Sequence, residues 1–182
     1  MRGQHAVNTH RHQPRRRPLR PAATGAPNRL SPVAPTGYQY VVFLVGADGL
    51  VPVTRTRSQP PELTDRLRAL ILGPTRDEAA FKLHSVLPPD TTVRGVRVDQ
   101  TTATVDLGGS FDAATGNSRI VAVAQIVYTV TQQPGVTLVR LELKGQPIDV
   151  PRGDATLTSK PLRRADYPPT ALETLTKTPS PS

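Results

Sequence analysis

The sequence predicts an α+β domain in which two helices cover one face of a mainly antiparallel sheet, in the order β-β-α-β-β-α-β. Three observations lead to this prediction. Short apolar runs are joined by turn residues, as in β-hairpins. Two other segments repeat their apolar residues with the period of a helix. A late run alternates apolar and polar residues, which is typical of a half-buried strand.

The first hairpin is predicted from two apolar runs on either side of Ala47, Asp48 and Gly49. The Asp-Gly pair favours a tight turn, because glycine adopts the positive φ that such turns require. Strands are therefore expected at about 39–45 and 50–55.

The first helix is predicted from leucine spacing after this hairpin. The residues at positions i, i+4, i+7 and i+8, which share one helical face, are Leu63, Leu67, Leu70 and Ile71. Pro60 and Pro61 suit the first turn of a helix, and Gly73-Pro74 is a termination signal.

A second hairpin is predicted downstream. Val93, Val96 and Val98 indicate one strand, and the clean alternation of Ala103, Val105 and Leu107 indicates the other. Gln100-Thr101 is a suitable turn between two antiparallel strands.

The longest apolar run begins at Ser118 and continues for some fourteen residues, which exceeds an ordinary strand. Its many β-branched residues disfavour a helix by only tenths of a kcal/mol each, whereas burying one Val or Ile contributes about 1.5–3 kcal/mol. Burial therefore favours a helix, capped by Asn117 or Ser118 and ended by Pro134-Gly135. A strand at Val139, Leu141 and Leu143 follows, with a short last strand at 147–150.

The positive charge of the chain lies almost entirely in its first 37 residues. That segment has seven Arg and no Asp or Glu, whereas residues 38–182 carry 16 basic and 14 acidic side chains. With six Pro and few large apolar residues, residues 1–37 are predicted to be a disordered tether. Residues 168–182, rich in Thr, Ser and Pro, are also expected to be disordered, which leaves one domain at 38–167.

Cysteine chemistry is excluded, because the chain has no Cys that could form a disulfide, act as a nucleophile, bind zinc or carry a lipid. The basic start is not followed by the apolar stretch of about 7–15 residues that a signal peptide needs. These features leave two alternatives open: a cytoplasmic protein, or an exported one whose export segment is omitted from the given start.

Three blocks of the sequence resemble a known family. "ALILGP", "SVLPPDTTVRGVRVDQTTATVDLGGSF" and "AQIVYTVTQQPGVTLVRLELKGQPI" follow one another as in the GerMN domain, the sporulation and spore germination domain of bacterial envelope proteins. The later "LTSKPLRRADY" is similar to the tail that follows this domain in actinobacterial lipoproteins. The residues that match the family pattern, or adjoin it, are Gly73, Pro74, Ser85, Pro88, Asp106, Phe111, Gln125, Thr129, Pro134, Gly135 and Gly145.

This resemblance implies a non-catalytic protein-interaction module on the outer side of the cytoplasmic membrane, similar in fold to the ring-building motifs of secretion-like complexes. Its partner would be another envelope protein or a second copy of the chain. An exposed edge strand at 39–45 or 147–150 would suit addition of a partner strand.

The residues themselves indicate no catalytic chemistry. His84 has no identifiable acid partner, and Gly108-Gly109 lacks the Lys and Ser/Thr of a phosphate loop. The tail histidines, His5, His10 and His12, would make only a weak metal site. No catalytic residue, cofactor, metal or small-molecule substrate is therefore expected. Gln125 and Thr129, one helical turn apart among apolar residues, are expected to anchor the helix through hydrogen bonds.

An alternative function is nucleic-acid binding in the cytoplasm, with anionic lipid as another ligand for the tail. The contacts would be electrostatic and come from Arg11, Arg15, Arg16, Arg17 and Arg20. Against this, residues 38–182 are nearly neutral, the chain has only seven aromatic residues, and no RNA-binding motif is present.

Deletion of residues 1–34 is expected to leave the thermal midpoint nearly unchanged, because a disordered segment contributes no packing to the domain. Differential scanning calorimetry of the full and shortened chains tests this. A large decrease in the midpoint would show that the segment packs on the domain.

Overall fold

The computed structural model describes residues 37–177, which form eight strands, four α-helices and two short 3₁₀ turns. The first half contains β1 (Tyr38–Gly46), β2 (Gly49–Arg57), α1 (Leu63–Ile71), α2 (Arg76–Ala80), β3 (Thr92–Asp99) and β4 (Thr102–Gly108). The second half contains α3 (Gly116–Val130), β5 (Leu138–Leu143), β6 (Gln146–Pro147), β7 (Val150–Pro151), β8 (Leu157–Thr158) and α4 (Pro169–Lys177). The predicted tail, residues 1–37, lies outside the described residues except for Gly37.

The predicted α+β class is confirmed, and both predicted hairpins are present. The strands are nevertheless distributed over three sheets, β1–β2, β3–β4–β5–β6 and β7–β8, rather than one. Within the four-stranded sheet β5 lies parallel to β4. This arrangement is possible because α3, which connects the two strands, returns the chain to the end of the sheet at which β4 begins. The helices α1 and α3 contribute most of the helical part of the core.

Helix α3 forms the centre of the core, and ten of its fifteen residues are buried. Its helical conformation confirms that burial outweighs the low helix propensity of its Val and Ile residues. Two details differ from the sequence prediction. The N-cap is Thr115 rather than Asn117 or Ser118, and the helix ends at Val130, ahead of the Pro134-Gly135 turn.

Two buried polar side chains of α3 connect it to the main chain of β1. Gln125 and Thr129 are both fully buried. The Gln125 amide nitrogen donates to the carbonyl of Phe43 at 2.9 Å, and the N–H of Phe43 donates to Thr129 Oγ1 at 3.1 Å. The Gln125 side-chain oxygen accepts from the N–H of Val86 at 3.0 Å. The helix thus takes the place of a neighbouring strand for Phe43.

The outer edge of β1 is occupied further along as well. Val45 exchanges two main-chain hydrogen bonds with His84, at 2.8 and 3.0 Å. The edge expected to be exposed at 39–45 is therefore closed at Phe43 and Val45. The other expected edge, 147–150, is also different, because it divides into β6 and β7 in two separate sheets.

The disorder predicted from Pro168 onward is wrong for residues 169–177, which form α4. Leu172, one turn before the half-buried Leu175, is 1% exposed and belongs to the hydrophobic core. Pro169 occupies the first helical position, where its missing N–H has no cost. The segment was mistaken for a tail because its Thr and Pro content concealed this apolar pair.

The chain between β8 and α4 is fixed on α3 by Arg164. Its guanidinium donates to Thr131 Oγ1 at 2.7 Å and to the carbonyl of Tyr128 at 3.0 Å. The same group lies over the rings of Phe43 and Tyr128, at 5.6 and 5.1 Å from their centroids. Burial raises the pKa of the Tyr128 phenol, whose hydroxyl donates to the carbonyl of Tyr167.

Arg55 on β2 connects α1 with α2. Its guanidinium binds both carboxylate oxygens of Glu78 at 3.0 and 2.6 Å, and donates to the carbonyls of Ala69 and Gly73. The side chains of Arg55 and Glu78 are only 12% and 13% exposed. The hydrogen bonds from Arg55, followed by those from Thr75, hold the pKa of Glu78 below its usual value.

The substitution Gln125→Met is expected to lower the free energy of unfolding by about 3 kcal/mol, because it leaves a buried carbonyl and a partly buried N–H unpaired. Chemical denaturation at pH 7 measures the loss. Gln146→Met, at an exposed position of β6, is the matched control and should change stability by less than about 0.5 kcal/mol. Equal stability of the two variants would contradict the anchoring role.

The substitution Glu78→Gln is expected to destabilise the protein by about 2 kcal/mol at neutral pH. A carboxylate whose pKa is lowered by folding stabilises the fold above its usual value of 4.5, and this contribution is lost as pH falls through the folded-state value. The difference from the wild type should therefore shrink below about pH 4.5. Denaturation curves across pH test this, with Asp77→Asn on the same helix as the control. A difference that is constant with pH would contradict it.

Candidate interaction surface

The residues matching the family pattern serve different parts of the structure and do not converge on one site. Gly73 ends α1 at φ +78°, and its carbonyl accepts from Arg55. Ser85 accepts a hydrogen bond from the N–H of Leu87 at 3.3 Å. The carbonyl of Pro88 accepts from the N–H of Thr91.

Further along the chain, Asp106 and Gly145 are brought together, since the N–H of Gly145 donates to Asp106 Oδ1 at 2.9 Å. Gly145 has φ +81° in the tight turn between β5 and β6. Phe111 is fully buried and carries the guanidinium of Arg119 over its ring at 5.3 Å. The tail arginines at 11–20 lie outside the described residues.

A groove that sequence reasoning missed lies between the start of α1, the strand β3 and the loop that follows α3. Its volume is about 490 Å³. The apolar residues that line it are Pro61, Leu63, Val96, Val98, Pro134 and Val136. Val98 is 51% exposed although it is on the helix-covered face of the sheet, because α1 begins too late to cover it. The only sequence signal was the apolar pattern of β3, which indicated burial.

A second groove of about 440 Å³ lies at the other end of α1. Leu72 projects beside it and is 85% exposed. Ile71, Pro89 and Val93 add apolar surface, and Arg68 and Thr91 add polar surface. The two grooves thus place exposed apolar side chains at both ends of the same helix, next to the same strand.

The strand β3 also has an open outer edge. Asp99 and Thr102 flank a two-residue turn and therefore exchange main-chain hydrogen bonds. Because bonded residues alternate along an antiparallel pair, the main-chain groups of Asp99, Arg97 and Gly95 point towards β4. The main-chain groups of Val96 and Val98 consequently point away from the sheet. Within residues 37–177 they have no hydrogen-bond partner on that side.

The exposed face of the four-stranded sheet is polar, and two pairs of its charged side chains bind each other across strands. Arg97 binds both oxygens of Glu142 at 3.0 and 2.9 Å, and Arg94 binds Asp106 at 3.2 Å. Across the described part of the chain, no three His, Asp or Glu residues are grouped closely enough to hold a metal ion. None of the helices in residues 37–177 has the length and apolarity to span a bilayer.

Comparison with solved structures shows related folds in Bacillus subtilis. The tandem GerMN domains of its sporulation protein GerM superpose with a TM-score of 0.57 at 23% identity, covering 71% of this chain and 47% of that one. This chain therefore spans about half the length of the tandem structure. The first GerMN domain alone gives a TM-score of 0.54 at 24% identity, covering 70% of this chain and 98% of the domain.

A protein of Clostridium perfringens described as a candidate lipoprotein gives a TM-score of 0.50 at 19% identity, covering 71% of this chain and 89% of its own. No curated protein matches the chain. The family model named Germane, described as sporulation and spore germination, matches residues 40–149, which include most of β1, the whole of β2 to β6 and every family-pattern residue. The chain therefore belongs to the sporulation and spore germination (GerMN) domain family.

Proposed function

We propose that this domain is a non-catalytic protein-interaction module of the bacterial cell envelope, acting on the outer side of the cytoplasmic membrane. The observation that supports this most directly is the surface formed by the two apolar grooves beside α1 and the open edge of β3. We call it the α1–β3 surface.

The α1–β3 surface has the two features that binding of an extended protein segment requires. Outward main-chain groups at Val96 and Val98 can bond to a partner strand, and the grooves can accept its alternate apolar side chains. The exposed side chains of Leu72 and Val98 would be buried by such a partner. Burial of apolar surface would then stabilise the complex.

The envelope location is supported by the family and by its relatives. The family model is described by sporulation and spore germination, and one structural relative is described as a candidate lipoprotein. The partner is accordingly another envelope protein or a second copy of this chain. We further propose that the family-pattern residues are structural and that the family domain covers about 38–167, with α4 as an addition to it.

The proposal is tested by photo-crosslinking in intact cells followed by separation of envelope and cytoplasm. The crosslinking residue is placed at Leu72 or Val98, and a control is placed at Arg140, which is exposed on the polar face of the sheet. Protein adducts in the envelope fraction from the first two positions, and not from the control, are expected because only those positions lie on the α1–β3 surface.

Adducts from all three positions alike, or from none, would contradict the assignment of this surface. A cytoplasmic protein that binds RNA, with an affinity that falls steeply as salt rises, would support the alternative function of the Arg-rich segment instead. Deletion of residues 1–34 separates the two functions, because it removes the arginines assigned to the alternative function, Arg11, Arg15, Arg16, Arg17 and Arg20, and none of the residues that define the α1–β3 surface.

A further inference from the structure

We propose that β3 pairs with β3 of a second copy, antiparallel and centred on Val98, so that two chains form a two-fold symmetric dimer. This inference rests on the proposed function and names the partner of the α1–β3 surface. Two observations support it. The outer edges of β1 and β2 are protected whereas that of β3 is open, and opposite charges lie on either side of Val98 in β3.

The other long strands have protected edges. On β1, Phe43 and Val45 are bonded by α3 and by His84. On β2, Leu50, Pro52 and Thr54 face away from β1, because Gly46 and Gly49 flank a two-residue turn and exchange hydrogen bonds. Pro52 has no N–H to offer to another strand. Between Gly95 and Asp99, β3 contains neither proline nor a capping side chain.

The residues around Val98 are self-complementary. Arg97 and Asp99 are exposed on the polar face of the sheet, one on each side of Val98. When two copies of β3 pair antiparallel about Val98, each Arg97 lies opposite Asp99 of the second copy, which gives two favourable cross-strand pairs. The Arg97 side chain is 66% exposed and retains further N–H donors while it binds Glu142.

Other registers lack this complementarity. Centring the pair on Arg97 would place Arg97 opposite Arg97, which is unfavourable. Centring it on Val96 would place Arg97 opposite Gly95 and would extend the ladder to Arg94, where a β-bulge interrupts β3. The register centred on Val98 also uses residues whose main-chain groups face outward, as exchange of hydrogen bonds requires.

The same register covers exposed apolar surface. Val98, half exposed, would lie beside Val98 of the second copy, because the Cα atoms of a hydrogen-bonded antiparallel pair are about 5.5 Å apart. The rest of the first groove, including Pro61 and Pro134, would be enclosed at its open side. Main-chain bonds, apolar burial and charge pairing thus select one arrangement.

Sedimentation velocity and equilibrium of the full purified chain, from about 1 μM to 1 mM, test the proposal. The wild type is expected to be a reversible dimer. Val98→Pro removes the outward N–H without removing a β3–β4 bond, so it should abolish dimerisation. Val98→Thr keeps the N–H and the β-branched shape, so its dissociation constant should stay within a few-fold of the wild type.

The charge pairing is tested separately by Asp99→Lys, which places Lys opposite Arg97 twice in each dimer and should raise the dissociation constant by about tenfold or more. Asp149→Lys makes the same change of charge at an exposed position away from β3 and should have no effect. Circular dichroism and thermal midpoints verify that each variant is folded.

A folded wild-type chain that stays monomeric up to about 1 mM would overturn the proposal, as would a dimer insensitive to Val98→Pro and Asp99→Lys. A monomer that still forms site-specific envelope adducts through Leu72 and Val98 would overturn only this inference and leave the proposed function intact. A dimer that is weakened by Val98→Pro and Asp99→Lys as expected, in a protein that forms no envelope adduct, would support the self-pairing and overturn the proposed function.

Discussion

The structure depends on the pair of hydrogen bonds that joins α3 to the main chain of Phe43. Within residues 37–177 the β1–β2 hairpin pairs with no third strand, and a two-stranded hairpin alone is marginally stable in water. Gln125 and Thr129 supply the donor and the acceptor that another strand would otherwise provide. Gln125 also accepts a hydrogen bond from the N–H of Val86. The same side chain therefore positions the segment that contains His84, which pairs with Val45 of β1.

The sequence predicted the elements that follow from local periodicity. Leucine spacing gave α1, and the length of the apolar run gave α3 in spite of its valines. It did not predict which strands share a sheet. That depends on whether the outward main-chain N–H and C=O groups of β1 bond to side chains of α3 or to another strand. It also missed α4, since Leu172 and Leu175 are a short apolar pair in a Thr- and Pro-rich segment.

The interaction surface was the least predictable part for a related reason. Alternation along β3 indicates that Val96 and Val98 face the core, and they do. Whether a core-facing residue is buried depends on where the covering helix begins, and α1 begins at Leu63, beside Val98 rather than over it. Gln125 and Thr129 were correctly singled out, because two polar residues on a buried helical face must find partners.

The crossover through α3 has a consequence for the order of folding. Both hairpins turn within two residues, so their strands can meet within microseconds. The parallel pairing of β4 with β5 closes across the whole of α3 and must overcome a much larger loop entropy. Formation of α3 shortens that search, because a helix is more compact than an extended chain. The transition state for folding should therefore contain the β3–β4 hairpin and a helical α3, with the pairing of β5 to β4 formed later.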